Sequence, residues 1–157
     1  MKKILLLLLI GLSISSSSVA QDYKTGIGFR GGFFNGLSIK HFVSSKAAVE
    51  GIVSSRWNGL QVTGLYEIHN VAFNTNRLNW YYGAGAHVGF WDENHKTNWG
   101  NKGESYTVVG IDGILGLEYN FREIPINISL DWKPAWNLSG YQGFWADGAA
   151  LSIRYIF

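Results

Sequence analysis

From residue 24 to the end of the chain, apolar and polar residues alternate with a period of two. Such alternation is typical of β-strands with one apolar and one polar face. It is clearest at 78–90, where Trp80, Tyr82 and Val88 share one parity and glycine or polar residues occupy most of the other. The pattern predicts an all-β chain with eight strands, at about 24–33, 36–43, 47–56, 60–68, 78–90, 106–121, 124–133 and 148–157.

The segments between these strands predict an antiparallel up-and-down barrel closed by the eighth strand. Asn35-Gly36 and Asn58-Gly59 are dipeptides typical of tight hairpin turns. At one end the connections 44–46 and 122–125 are short, whereas 69–77 is longer. At the other end 92–105 and 134–147 are long and rich in polar and aromatic residues. Short inner turns and long outer loops are the rule in small membrane barrels.

Alternation alone does not separate a membrane barrel from a soluble lipocalin-like carrier, whose apolar face points inward. Glycine favours the membrane, because the chain has 20 glycines but 2 prolines and many glycines share the polar parity. A narrow lumen needs small residues between large ones, whereas a solvated exterior does not. These glycines are Gly26, Gly28, Gly32, Gly83, Gly85, Gly89, Gly110 and Gly116.

Aromatic residues make up 15% of the chain and gather near the predicted strand ends. Amphipathic rings at these positions form the girdles of membrane barrels, where they meet lipid headgroups. The predicted girdle residues are Phe33, Trp57, Trp80, Tyr82, Phe90, Trp91, Tyr106, Tyr119, Phe121, Trp132, Trp136 and Trp145.

The first twenty residues predict a cleaved secretory signal peptide. Lys2 and Lys3 precede a short apolar run, and Ser18-Val19-Ala20 is a small-x-small cleavage pattern. The apolar run is shorter than the ~20 residues that a spanning helix needs. The domain organisation is therefore a signal peptide at 1–20 and a barrel domain at 21–157. Without Lys2 and Lys3 the acidic and basic residues are equal in number, which argues against nucleic acid as a partner.

The segments LNWYYGAGAH at 78–87, GLEYNF at 116–121 and DWKP at 131–134 are similar to small outer-membrane proteins of Bacteroidetes. The whole of 21–157 resembles the eight-stranded barrels typified by outer-membrane proteins A and X. The resemblance implies a monomer in the outer membrane of a Gram-negative bacterium, surrounded by lipid that includes lipopolysaccharide. It also implies insertion by the barrel-assembly machinery, whose signal is matched by alternate apolar residues at the C-terminus: Leu151, Ile153, Tyr155 and Phe157.

If the polar face of each strand points inward, its charged side chains lie in the lumen, where charges must be paired. Hairpin arithmetic predicts one row of charges, Arg30, Lys40, Glu50 and Glu67, across four adjacent strands, and brings His87 close to Asp112. Such a plugged interior argues against a pore. The whole predicted network comprises Arg30, Lys40, Glu50, Glu67, His87, Asp112, Glu118, Asp131, Lys133 and Arg154.

No catalytic constellation accompanies these charges, so we expect no enzyme, no cofactor and no metal site. The alternative is a lipid A-modifying enzyme, an acyltransferase or a deacylase, which needs a nucleophile beside a base. The register places no serine beside His87 and Asp112, and the run 92–95 lacks the ligand spacing of a metal site. The predicted role is envelope integrity, or surface interaction and adhesion through the loops 92–105 and 134–147. Loop aromatics that would serve binding are Trp99, Trp136, Tyr141 and Trp145.

Overall fold

The computed structural model describes residues 23–56, 59–91, 106–140, 143–146 and 148–157. The predicted signal peptide lies outside these residues, as do the connection 92–105 and the first half of the Asn58-Gly59 turn. Across the described ranges no helix is long and apolar enough to cross a membrane. The strands there are β1 (Thr25–Gly32), β2 (Asn35–Phe42), β3 (Ala47–Arg56), β4 (Gly59–Val71), β5 (Leu78–Trp91), β6 (Tyr106–Asn120), β7 (Ile126–Trp132), β8 (Ala135–Ser139), β9 (Gly143–Trp145) and β10 (Ala149–Ile156).

Eight of these strands form a closed antiparallel barrel, as the alternation predicts. Each of β1 to β5 pairs with the next strand, β6 pairs with β7, and β7 pairs with β10. The barrel closes where β10 runs beside β1, with Ile27 opposite Tyr155 and Gly32 opposite Ala150. We call the end that holds Thr25 and Ile156 the terminal end, and the opposite end the loop end.

Alternate residues of each strand point to the outside and to the inside of the barrel. Large apolar side chains point outward on every barrel strand; Phe29 is 74% exposed and Leu130 is 60% exposed. The buried inward side chains are mostly polar or charged, and Lys40 and Arg154 are completely buried. This is the reverse of a soluble barrel, whose apolar side chains fill the interior. Small apolar clusters lie inside at two levels, around Phe42 at the terminal end and around Tyr81 further in.

The segment 134–147, predicted as a long outer loop, contains the strands β8 and β9. Leu115 pairs with Trp132 and Asp112 with Ala135, so β8 continues the register of β7 along β6. The break falls at Pro134, which lacks an N–H donor. Its carbonyl still accepts a hydrogen bond of 2.9 Å from Gly113 N–H, so the pairing with β6 continues past Pro134. Strand β9 then folds back on β8, and the last hairpin extends beyond the point where β10 leaves β7.

Two smaller predictions are wrong. Asn35-Gly36 is not the first turn but the start of β2, because Thr25 pairs with His41 and Arg30 with Gly36. The Asn35 side chain instead accepts a hydrogen bond of 3.1 Å from Gly32 N–H, and the chain reverses at Phe33-Phe34. The prediction also ends the fourth strand at residue 68, whereas β4 continues to Val71.

Candidate functional site

The candidate site is the charged interior of the barrel, to which all eight barrel strands contribute side chains. The structure places all ten residues of the predicted network inside, none of them more than 7% exposed. Charges at this depth are tolerated only when they are paired. They form two clusters and one intervening pair.

The first cluster lies near the terminal end. We call it the terminal cluster, and its members are Lys40, Glu50, Glu67, His69, Glu118 and Arg154. The Lys40 ammonium is its centre: Nζ lies 2.8 Å from Glu67 Oε2, 3.4 Å from Glu50 Oε2 and 3.6 Å from Glu118 Oε2. Arg154 pairs with Glu50 and also donates to Ser38 Oγ at 2.8 Å and to Ser129 Oγ at 2.7 Å.

A cationic His69 balances the charge of the terminal cluster when all three of its glutamates are ionised. Three carboxylates face two permanent cations, Lys40 and Arg154. His69 lies between two of the carboxylates, with Nε2 3.0 Å from Glu67 Oε2 and Nδ1 3.3 Å from Glu118 Oε1. Only the imidazolium carries a proton on both ring nitrogens. This geometry therefore favours the charged form, which makes the cluster three positive against three negative charges.

Aromatic and apolar side chains enclose the terminal cluster. Beneath it Tyr23, Phe42 and Ile156 pack together with Ala48, and Tyr23 Oη donates to Glu118 Oε2 at 3.3 Å. Above it the Tyr81 ring stacks on His69 at 4.8 Å between centroids, and Lys40 Nζ lies 4.1 Å from the Tyr81 ring centre. Their burial lowers the local dielectric around the ion pairs, which strengthens the pairs and makes an unpaired charge costly.

The intervening pair is Arg30 with Asp131. Arg30 Nη1 donates to Asp131 Oδ2 at 2.8 Å, and Nη2 donates to Oδ1, so the contact is bidentate. Tyr81 Oη donates to the same Oδ2 at 2.9 Å. This arrangement needs Gly116, since a Cβ there would lie 2.6 Å from both Asp131 Cβ and the Tyr81 ring. Here the prediction that inward glycines make room for large side chains is confirmed.

Other glycines of the predicted set are needed because the backbone of the neighbouring strand lies close to them. A Cβ at Gly28 or Gly85 would collide with the backbone of the neighbouring strand. These glycines therefore permit close approach of strands in a tightly curved wall.

The predicted row of four charges is partly wrong. Lys40 lies opposite Glu50, and Glu67 joins them through Lys40. Arg30 does not lie beside Lys40, because the first hairpin turns at Phe33-Phe34 and sets Gly26 opposite Lys40. Arg154 takes the place that the prediction gives to Arg30.

The second cluster lies toward the loop end. We call it the loop cluster, and its members are His87, Asp112, Lys133 and Asn137. Strands β5 and β6 pair in the predicted register, with His87 opposite Gly110. His87 Nδ1 lies 2.7 Å from Asp112 Oδ2, and Lys133 Nζ donates to Asp112 Oδ1 at 2.5 Å. His87 Nε2 lies 3.0 Å from Asn137 Oδ1, so the cluster ties β8 to the barrel.

The chemistry open to these clusters is limited within the described part of the chain. The His87–Asp112 pair resembles the base and orienting acid of a hydrolase, yet the other ring nitrogen of His87 contacts the Asn137 amide and not a nucleophile. Within the same ranges no three His, Cys, Asp or Glu side chains are placed to hold a metal ion. The run 92–95, also considered for metal, lies outside the described residues.

The predicted surface residues divide between described and undescribed positions. Trp136 is 55% exposed on β8 and its ring contacts Phe144 edge-on, whereas Trp145 is half-buried on β9. Trp99 and Tyr141 lie outside the described residues. The C-terminal residues of the predicted assembly signal point outward from the wall: Leu151, Ile153, Tyr155 and Phe157.

Trp91 departs from the predicted girdle. It has the inward parity of β5, and its ring covers Gly59 and Gly89 at the loop end of the lumen.

Sequence reasoning missed His69, Tyr23, Tyr81 and Asn137. A signal was available for Tyr81, which has the same parity as Asn79 and His87. His69 lies two residues after Glu67, but the predicted strand ended one residue before it. Tyr23 precedes the first strand, and Asn137 lay in a predicted loop.

Comparison of the chain with protein-family models and with curated proteins gives no match.

Proposed function

We propose that this chain is a non-enzymatic integral outer-membrane barrel with a plugged polar interior. The observation that carries the proposal is the polarity of its wall. Apolar side chains such as Phe29, Leu130 and Ile153 are exposed around the outside, while buried ion pairs occupy the inside. Exposing such a surface to water is unfavourable by about 25 cal/mol per Å², whereas lipid accommodates it.

The proposed surroundings follow from this polarity. Aromatic side chains near the terminal end, among them Tyr119, Phe121 and Tyr155, would meet one headgroup region, and Phe90, Trp132 and Trp136 would meet the other. The proposed partners are outer-membrane lipid including lipopolysaccharide, and the barrel-assembly machinery during insertion. The proposed organisation is a monomer.

The proposed role is envelope integrity or surface interaction at the loop end. Ion pairs and aromatic rings occupy the lumen, which argues against a conducting channel and leaves the outer connections as the contact region. The last hairpin presents Trp136 and Phe144 there, and exposed aromatic rings are common in recognition surfaces.

Cell fractionation tests the location. Expressed in a Gram-negative host with its signal peptide, the chain is expected to sediment with the outer membrane and to be released by detergent only. A soluble lipocalin-like carrier would instead appear in the aqueous periplasmic or secreted fraction, and that result would refute the proposal.

The second candidate is a lipid A-modifying enzyme, which only the His87–Asp112 contact favours. Mass spectra of lipid A from cells with and without the gene separate the two. The proposal expects identical acylation, and the gain or loss of one acyl chain would establish the enzyme. His87→Gln, compared with the outward control His41→Gln, would then show whether the pair is responsible.

A further inference from the structure

The charged side chains that lie outside the lumen gather at one end of the described chain. Within the described ranges, the Lys, Arg, Asp and Glu side chains that are not buried all lie at the terminal end. Only one of them, Glu123, is acidic. The others are four cations, which we call the basic rim: Lys24, Lys46, Arg77 and Arg122.

The basic rim runs around the whole circumference of the barrel. Lys24 directly precedes β1, and the three other cations lie in the connections β2–β3, β4–β5 and β6–β7. Each connection at the terminal end therefore carries one cation. Among the described residues none of the four forms an ion pair with a carboxylate, whereas Arg30, Lys40 and Arg154 in the lumen all do. The rim is thus a set of positive charges without internal compensation.

A large exposed apolar side chain accompanies each cation of the basic rim. At the start of β1, Lys24 N–H donates to Phe157 O at 3.3 Å. In the β2–β3 turn, Val43 N–H donates to Ala47 O at 2.9 Å and so encloses Lys46. The four pairs are Lys24 with Phe157, Lys46 with Val43, Arg77 with Phe73, and Arg122 with Ile124.

The most exposed of these apolar side chains is presented by a strained turn. Phe73 is 86% exposed and has a φ of 50°, and Asn74 and Arg77 in the same turn have φ values of 51° and 80°. A positive φ is unusual for a bulky residue and is kept only where the surrounding structure enforces it. Here the turn is closed by a hydrogen bond of 2.9 Å from Thr75 N–H to Ala72 O. The turn therefore holds an aromatic ring away from the barrel and beside a cation.

We infer that the basic rim and its apolar neighbours bind the anionic headgroups of phospholipids in the leaflet that surrounds the terminal end. Cations beside exposed apolar side chains are typical anchors at an anionic membrane surface: the apolar group enters the interface and the cation meets the phosphates. A headgroup layer surrounds the barrel as the rim does, whereas an acidic polymer would require cations gathered in one place. The inference rests on the proposed membrane residence and adds a preference among lipids.

Spin-labelled lipids measure this preference directly. The chain is reconstituted in phosphatidylcholine vesicles that contain a trace of spin-labelled phosphatidylglycerol or spin-labelled phosphatidylcholine. Electron paramagnetic resonance then gives the fraction of each lipid whose motion the protein restricts. The matched control changes neutral residues of the same turns, Ser45→Gln with Asn76→Gln. The charge variant combines four substitutions: Lys24→Gln, Lys46→Gln, Arg77→Gln and Arg122→Gln.

The wild type and the control are expected to restrict phosphatidylglycerol about two- to fivefold more strongly than phosphatidylcholine. The charge variant should restrict the two lipids equally, and high salt should reduce the preference of the wild type by screening. Gel mobility that changes on boiling verifies that each variant is folded. If the charge variant does not fold, the same variant with Arg77 restored replaces it and is expected to lose most of the preference.

The remaining outcomes separate the inference from the proposed function. Equal restriction of both lipids by the wild type would overturn the inference and leave membrane residence intact. A preference that the folded charge variant keeps in full would also overturn it, because other parts of the chain would then be responsible. If the wild type restricts neither lipid, the proposed function itself fails.

Discussion

The two charged clusters inside the barrel use similar residues but depend on different parts of the fold. The terminal cluster joins five strands, and its six side chains are at most 1% exposed. The loop cluster has one carboxylate, Asp112, which is held by His87 and Lys133. Its fourth member, Asn137, belongs to the last hairpin. The difference indicates that the first cluster stabilises the barrel as a whole, whereas the second fixes one projecting element to it.

The largest effect is expected from removing one charge of the terminal cluster. Arg154→Met leaves Glu50 without its guanidinium partner, and breaking a buried pair in this way costs about 3–5 kcal/mol. The free energy of unfolding, measured by urea titration in detergent micelles, is expected to fall by that amount. The double variant Arg154→Met with Glu50→Gln should recover part of the loss. An Arg154→Met barrel as stable as the wild type would show that the cluster does not carry stability.

A smaller loss of unfolding free energy is expected at Gly116, which leaves space beside the intervening pair. Gly116→Ala places a Cβ against Tyr81 and Asp131, and overpacking of this kind costs about 1–3 kcal/mol. The control is Gly64→Ala on the outer face, where a Cβ would meet no atom within 4 Å. The same urea titration should separate the two variants. Equal stability of both would contradict the close packing of the lumen.

A local effect is expected from the loop cluster. Asn137→Ala removes the contact with His87 Nε2, and a lost hydrogen bond of this kind costs about 1 kcal/mol. Hydrogen exchange of the amides of β8 should become faster, while the amides of β3 keep their protection. Ser139→Ala, an exposed position on the same strand, is the control. Faster exchange throughout the barrel would show that the two clusters are not separable.

The smallest signal is expected from conductance. The terminal cluster and the apolar side chains around Phe42 fill the lumen, so the folded barrel in a planar bilayer should carry no stable ohmic current. Insertion would be verified by protease protection of the same preparation. A steady ohmic current from the inserted wild type would show that the interior is not plugged.

The sequence was sufficient to predict the barrel wall but not its local exceptions. Alternation assigned the faces of all eight strands, and the long matching patterns of β5 and β6 fixed the register that joins His87 to Asp112. The prediction of the first hairpin was wrong because the Asn35 side chain accepts a hydrogen bond from Gly32 N–H and Asn35 does not lie in the turn. That two-residue displacement took Arg30 away from Lys40, and Arg154 lies in the terminal cluster instead.

The last hairpin could not be predicted because its determinants are not local. Pro134 and the polar residues after it resemble a loop when read alone. In the fold, β7 pairs with β6 only as far as Leu115. The part of β6 beyond Leu115 pairs with β8, in the register that β7 has already set. Trp132 Nε1–H then donates to Ala146 O at 2.5 Å, which holds the returning chain. Only the closed barrel supplies these partners.

The central claim is that the barrel turns its apolar face to lipid and its charges inward. The most direct test is to dilute urea-denatured residues 21–157 into buffer with and without lipid vesicles and compare gel mobility before and after boiling. The account predicts a protease-resistant form whose mobility changes on boiling and which appears only with vesicles. A folded, soluble monomer in buffer without lipid or detergent would contradict it.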